Sequence, residues 1–139
     1  MIEQKAMMRI PEPIFQRMLE HARREWPLEC CGILAGEDDM VKRSFEMTNS
    51  EQSAVRYSMA PQDQLRAYDE MDREGIEMIA IYHSHPHTIA FPSETDVNLT
   101  VLPELVSIIV SLKEKEDPVV KAFRIGKEAI YLQEIEVMP

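Results

Sequence analysis

The stretch EMIAIYHSHPHTIAFPSETD, Glu77 to Asp96, decides how this chain is read. Its first part, EMIAIYH, is apolar without alternation, as expected of a central strand covered on both faces. The C-terminal end of that strand delivers His83-Ser84-His85. Alternate side chains of a strand share a face, so two imidazoles at i and i+2 can meet one ion while Ser84 points away. Pro86 removes a ladder donor and ends the strand there. Pro92-Ser93 fits a helix start, and Asp96 falls on the first turn, where a carboxylate can point back toward the loop. Two imidazoles and one carboxylate leave one position for water. Catalytic zinc sites have that form, whereas structural sites are closed by four ligands, commonly with cysteine.

The same residues have a plainer reading. Ser93-Glu94-Thr95-Asp96 resembles a capping box with Asp96 at the third helical position. His-x-His pairs also occur on surface strands by chance. The combination favours a site: an apolar central strand ends on His-x-His, and the next helix opens on an acid. Hydrolysis at such a site also needs a proton carrier. Among 25 acidic residues, Glu29 stands apart because it opens the apolar segment LECCGILAG. The alternative is that Glu29 merely begins the strand at its exposed end.

Working outward, Ile14, Phe15, Met18, Leu19 and Ala22 repeat at helical spacing, which predicts a first helix from Pro13 to Glu25, stopped by Pro27. LECCGILAG predicts a buried strand and MVKRSFEM a half-exposed one, with GEDD as the turn between them. TNSEQSA reads as a loop and VRYSM as a short strand. A second helix is predicted from Pro61 to Glu74, ended by Gly75. LVSIIVSL, VVKAFRI and AIYLQEIEV predict three further strands, separated by KEKEDP and GKE turns.

The chain has 139 residues, of which 45% are apolar, so it is globular and fits one domain. Its net charge of -10 argues against nucleic-acid and anionic-membrane partners, which need clustered Lys and Arg. No apolar run approaches the ~20 residues of a membrane span. MIEQKAMMRIPEPIF lacks the features of a secretory signal. The adjacent Cys30 and Cys31 offer no disulfide framework, and a cytoplasmic location is expected.

Together these residues resemble the JAMM motif of the JAB1/MPN metalloproteases: an upstream Glu, His-x-His, seven residues, Ser, two residues, Asp. The chain reads Glu29, then His83-Ser84-His85, PHTIAFP, Ser93, Glu94-Thr95, Asp96. HARREWPLECCGILAG resembles the family's first helix and strand, and the likeness runs from about residue 7 to 135. The resemblance implies an α/β (α+β) three-layer sandwich of the cytidine-deaminase-like kind, with a mixed sheet and helices on both faces, over residues 1–139. It implies one zinc ion held by His83, His85 and Asp96. Glu29 would act as general base and then acid, and Ser93 would donate to the oxyanion. It implies a peptidase or isopeptidase cutting after the Gly-Gly tail of a ubiquitin-like or β-grasp sulfur-carrier protein, as in small stand-alone prokaryotic members. A homodimer is left open. Deamination is not implied, since His-x-Glu with Pro-Cys-x-x-Cys is absent.

His87 is expected at the cleft rim, where a loop residue can contact substrate, and His21 as a structural or exposed residue. The alternative function is a metal-free scaffold of the same fold. A third reading, a Cys30 or Cys31 nucleophile, is disfavoured by their place in an apolar strand.

Overall fold

The computed structural model describes residues 7–100, 105–126 and 128–139. The GKE turn includes Lys127, and the N-terminal reading includes residues 1–6; these lie outside the described residues. The elements are β1 (Met8–Pro11), α1 (Glu12–Glu25), β2 (Cys31–Glu37), β3 (Met40–Met47), α2 (Pro61–Glu74), β4 (Glu77–His85), α3 (Glu94–Leu99), β5 (Val106–Ser111), β6 (Val119–Ile125), β7 (Ile130–Gln133) and β8 (Ile135–Met138). They form one eight-stranded sheet in the order β7-β6-β5-β4-β2-β3-β1-β8. The predicted central strand is central: β4 lies between β2, antiparallel, and β5, parallel.

Helices cover both faces. Ile14, Met18, Leu19 and Ala22 of α1 pack on Leu34, Tyr82, Ile108 and Val110. On the other face, Ala67 and Met71 of α2 pack with Cys31, Ile33 and Phe45, and Val97 of α3 packs with Ile109, Phe123 and Ile125. Proline stands in the first turn of α1 and of α2, where its missing N–H costs nothing. Gly75 ends α2 in the left-handed region, φ 67°, and Ile76 N–H returns to the Met71 carbonyl.

Two predictions need correction. VRYSM is not a strand; it contributes a single bridge, Asn49 to Met59. AIYLQEIEV is not one strand but two, β7 on one edge of the sheet and β8 on the other. Only Glu134 separates them, so the sheet must curl until its edges approach each other. The α1 core accordingly draws on residues from β1, β3, β4, β5 and β6, the concave side. β1 was not anticipated: it is four residues long, and its partner β8 lies at the far end of the chain.

A register shift in β4 sets the face of the histidines. Leu34 pairs with Ala80 but Ala35 pairs with Met78, leaving Ile79 unmatched. Ile79 and Ala80 therefore both pack toward α1, while Met78 and Ile81 pack toward α2. One extra residue inverts alternation. Without it, a Met78 facing α2 would put His83 and His85 on the α1 side.

Candidate metal centre

His83 and His85 leave the end of β4 on the face of α2 and α3, and Asp96 meets them from the first turn of α3. The Asp96 Oδ2 atom lies 3.2 Å from His83 Nε2 and 3.0 Å from His85 Nε2, and the two Nε2 atoms are 3.2 Å apart. Tetrahedral ligands ~2.0–2.1 Å from one ion stand roughly 3.3 Å apart, so this near-equilateral triangle fits such a set. The three side chains form a group able to hold a metal. Neither cysteine joins it; both thiols are buried, and burial pushes each up to about 12, so neither is a ready nucleophile.

The ring orientations are fixed from behind. His85 Nδ1 lies 2.9 Å from the Ile89 carbonyl oxygen, which suits an Nδ1–H donor and leaves Nε2 turned to the site. Tyr57 stacks on His83 with centroids 4.7 Å apart and planes 28° apart. His83 Nδ1 has no partner among the described residues. Burial lowers the His83 pKa, so its neutral, ligating form is favoured. Burial also disfavours charge on His85, yet the Asp96 carboxylate and the Ile89 carbonyl raise its pKa. Burial pushes Asp96 up as well, but His83, His85 and the Ser93 amide hold it well below the usual carboxylate range. A charged carboxylate facing two imidazoles in a buried setting calls for a cation.

The capping box and the candidate ligand set share one carboxylate. Ser93 N–H donates to Asp96 Oδ2 at 2.9 Å, and Asp96 N–H donates to Ser93 Oγ at 3.0 Å. The cap thus locks the Asp96 rotamer that faces the histidines. Ser93 accepts through its oxygen, and a hydroxyl keeps one donor hydrogen besides its acceptor capacity.

Glu29 precedes β2 beside the site. Cys31 pairs with His83, and Ser84 N–H donates to the Cys30 carbonyl. Continuing that antiparallel register puts Glu29 opposite His85, on the same face. Glu29 is buried, and its Oε1 has no partner among the described residues. Burial raises its pKa to about 7; His85 opposes that rise and Asp96 adds to it. A carboxyl poised near neutrality can both take and return a proton.

Asn49 and Tyr57 escaped sequence reading. Asn49 Nδ2 donates to the carbonyls of Glu29 and Arg56, and its Oδ1 accepts from the amides of Glu51 and Ser58. It ties the loop carrying Tyr57 to the start of β2. The only sequence signal was an Asn in a loop, a residue suited to bonding its own turn. His87 stands outside the ligand triangle, edge-on to Trp26 with centroids 5.6 Å apart. His21 is buried on the opposite face, with its Nδ1 2.7 Å from the Tyr82 hydroxyl, so its role is structural.

A model of prokaryotic homologs of the JAB domain matches residues 11–126. The chain belongs to that family. This JAB-domain protein is 35% identical over 123 residues to the CysO-cysteine peptidase of Mycobacterium tuberculosis, covering 87% of this chain and 84% of that one. It is 35% identical over 89 residues to a probable TtuB-protein conjugate cleaving protease of Thermus thermophilus, covering 63% and 60%. A protein of Desulfitobacterium hafniense with a known solution structure superposes with TM-score 0.87 at 38% identity, covering 95% of this chain and 93% of that one. No described helix is long and apolar enough to cross a membrane.

Proposed function

We propose that this JAB-domain peptidase cuts the peptide or isopeptide bond that follows the Gly-Gly tail of a ubiquitin-like or β-grasp sulfur-carrier protein. The convergence of His83 Nε2, His85 Nε2 and Asp96 Oδ2, with a buried Glu29 beside them whose Oε1 has no partner among the described residues, carries the reading. The names of the relatives, a peptidase of CysO-cysteine and a protease of protein conjugates, support the substrate class.

His83, His85 and Asp96 would hold one zinc ion, to which imidazole and carboxylate donors are suited. Bound there, the ion would supply Lewis acidity and an acidified water. Glu29 takes a proton from the attacking water and delivers it to the departing nitrogen. Its pKa near 7 suits both transfers. Ser93 keeps its hydroxyl hydrogen for the oxygen of the scissile carbonyl, where such donors contribute ~3 kcal/mol. Glycines lack side chains and can thread close to the ligands.

The purified protein should contain one zinc per chain and cleave a β-grasp–Gly-Gly fusion immediately after the second glycine, as read by intact mass. Glu29→Gln should keep the metal and abolish cleavage. His83→Ala should lose both. Absence of stoichiometric metal would instead favour a scaffold of the same fold.

A further inference from the structure

A cavity of about 190 Å³ opens beside the ligands on the side of His83 and Asp96. Tyr57, Ile81, Leu99, Leu105 and Ile125 give it apolar walls, and Arg56 stands among its lining residues. A cavity of ~150 Å³ suffices for benzene, so this one can take an aliphatic side chain. Glu29 does not line it. By the β2–β4 register the proposed proton donor Glu29 stands opposite His85, and neither lines the cavity, whereas His83 and Asp96 do. The cavity therefore serves the acyl side of the scissile bond.

Its depth can be matched to a tail. Ile81 lies two strand residues below His83, roughly 7 Å at ~3.3 Å per residue. Leu99 lies about one helical turn below Asp96. An extended Gly-Gly spans the same ~7 Å, so the residue before it arrives at the apolar end. Arg56 is exposed and forms no ion pair among the described residues. Asp96, by contrast, is turned to His83 and His85. The charged side chain left to meet a tail at this cavity is thus that of Arg56.

We propose that this cavity reads the side chain immediately before Gly-Gly, accepting an aliphatic residue and, through Arg56, rejecting a basic one. The assignment rests on the Gly-Gly reading above and adds to it a choice among tails.

The test uses peptides acetyl-Ala-X-Gly-Gly joined to a fluorogenic amine, with X as Leu, Val, Ala or Arg. Wild-type kcat/KM should favour Leu or Val over Arg by at least about tenfold. Arg56→Ala should narrow that ratio. Ser107→Met, which fills the cavity from β5, should cut the advantage of Leu over Ala. A second readout is calorimetric binding of the product peptides ending in X-Gly-Gly, which needs no turnover. Equal rates and equal affinities for Leu and Arg tails would overturn the proposal. If no peptide or fusion is cleaved yet binding still ranks Leu above Arg, the cavity assignment stands and the peptidase reading fails.

Discussion

The Ser84 hydroxyl oxygen accepts a hydrogen bond from the Cys30 backbone N–H, 2.8 Å away and fully buried. Ser84 is the residue between the two histidines that faces away from the candidate metal centre. From that side it clamps β4 to the start of β2, the point from which Glu29 projects. One serine thus couples the strand that bears His83 and His85 to the segment that bears Glu29.

Ser84→Ala leaves the Cys30 N–H buried without that acceptor, which costs about 1–3 kcal/mol. Urea denaturation should show that loss. Metal content should stay at one per chain, because the imidazoles point the other way. The kcat should fall with KM little changed as Glu29 loses its placement. Unchanged kcat would confine Ser84 to stability.

Glu29 makes the metal-free protein sensitive to pH in a defined direction. Its folded-state pKa is about 7, raised from 4.5. Below the lower value both folded and unfolded chains hold the proton. Between the two values the folded chain holds more of it, so the contribution to stability is lost as pH rises through 7. Metal-free wild type should lose on the order of 2 kcal/mol across that window relative to Glu29→Gln, with cleft water screening part of the full effect. Thermal melts of both proteins at a series of pH values test this; parallel curves would contradict it.

Ser93 caps α3, and glycine separates that use from its proposed donation to the oxyanion. Glycine is a tolerated N-cap and costs only a few tenths of a kcal/mol there, whereas alanine costs ~1 kcal/mol. Neither offers a hydroxyl. Ser93→Gly should therefore stay folded and metal-loaded yet lose roughly a hundredfold in kcat. Retention of kcat in Ser93→Gly would leave the hydroxyl with the cap alone.

Gly32 is required by Tyr82. A Cβ at Gly32 would stand 2.2 Å from the Tyr82 ring, which His21 holds by its hydroxyl. Gly32→Ala should cost about 3 kcal/mol by driving the ring from its place. The same change should cost much less in a Tyr82→Ala background, since the clash is then gone. Additive losses in a double-mutant cycle would point to another cause.

Much of the site was legible because its signals are local. His-x-His at a strand end, Ser-x-x-Asp at a helix start and an acid opening an apolar strand each follow from period and capping. The partners behind the site were not legible. Tyr57 on His83, Asn49 under Glu29 and the Ile89 carbonyl on His85 depend on where loops fall in space.

The sequence alone determined a central β4, two long helices ended by Pro27 and Gly75, and the donor types at the centre. It also determined that Asp96 would sit on a first helical turn, since Ser93 caps its own helix. Tertiary structure decided the rest. The unmatched Ile79 chose which face His83 and His85 occupy, because one added residue inverts alternation and only the pairing with β2 reveals it. The curl of the sheet split residues 129–137 between its two edges, because β7 and β8 pair with distant strands. The capping carboxylate is also the one that meets both imidazoles, because Asp96 Oδ2 can accept from the Ser93 amide while still facing them.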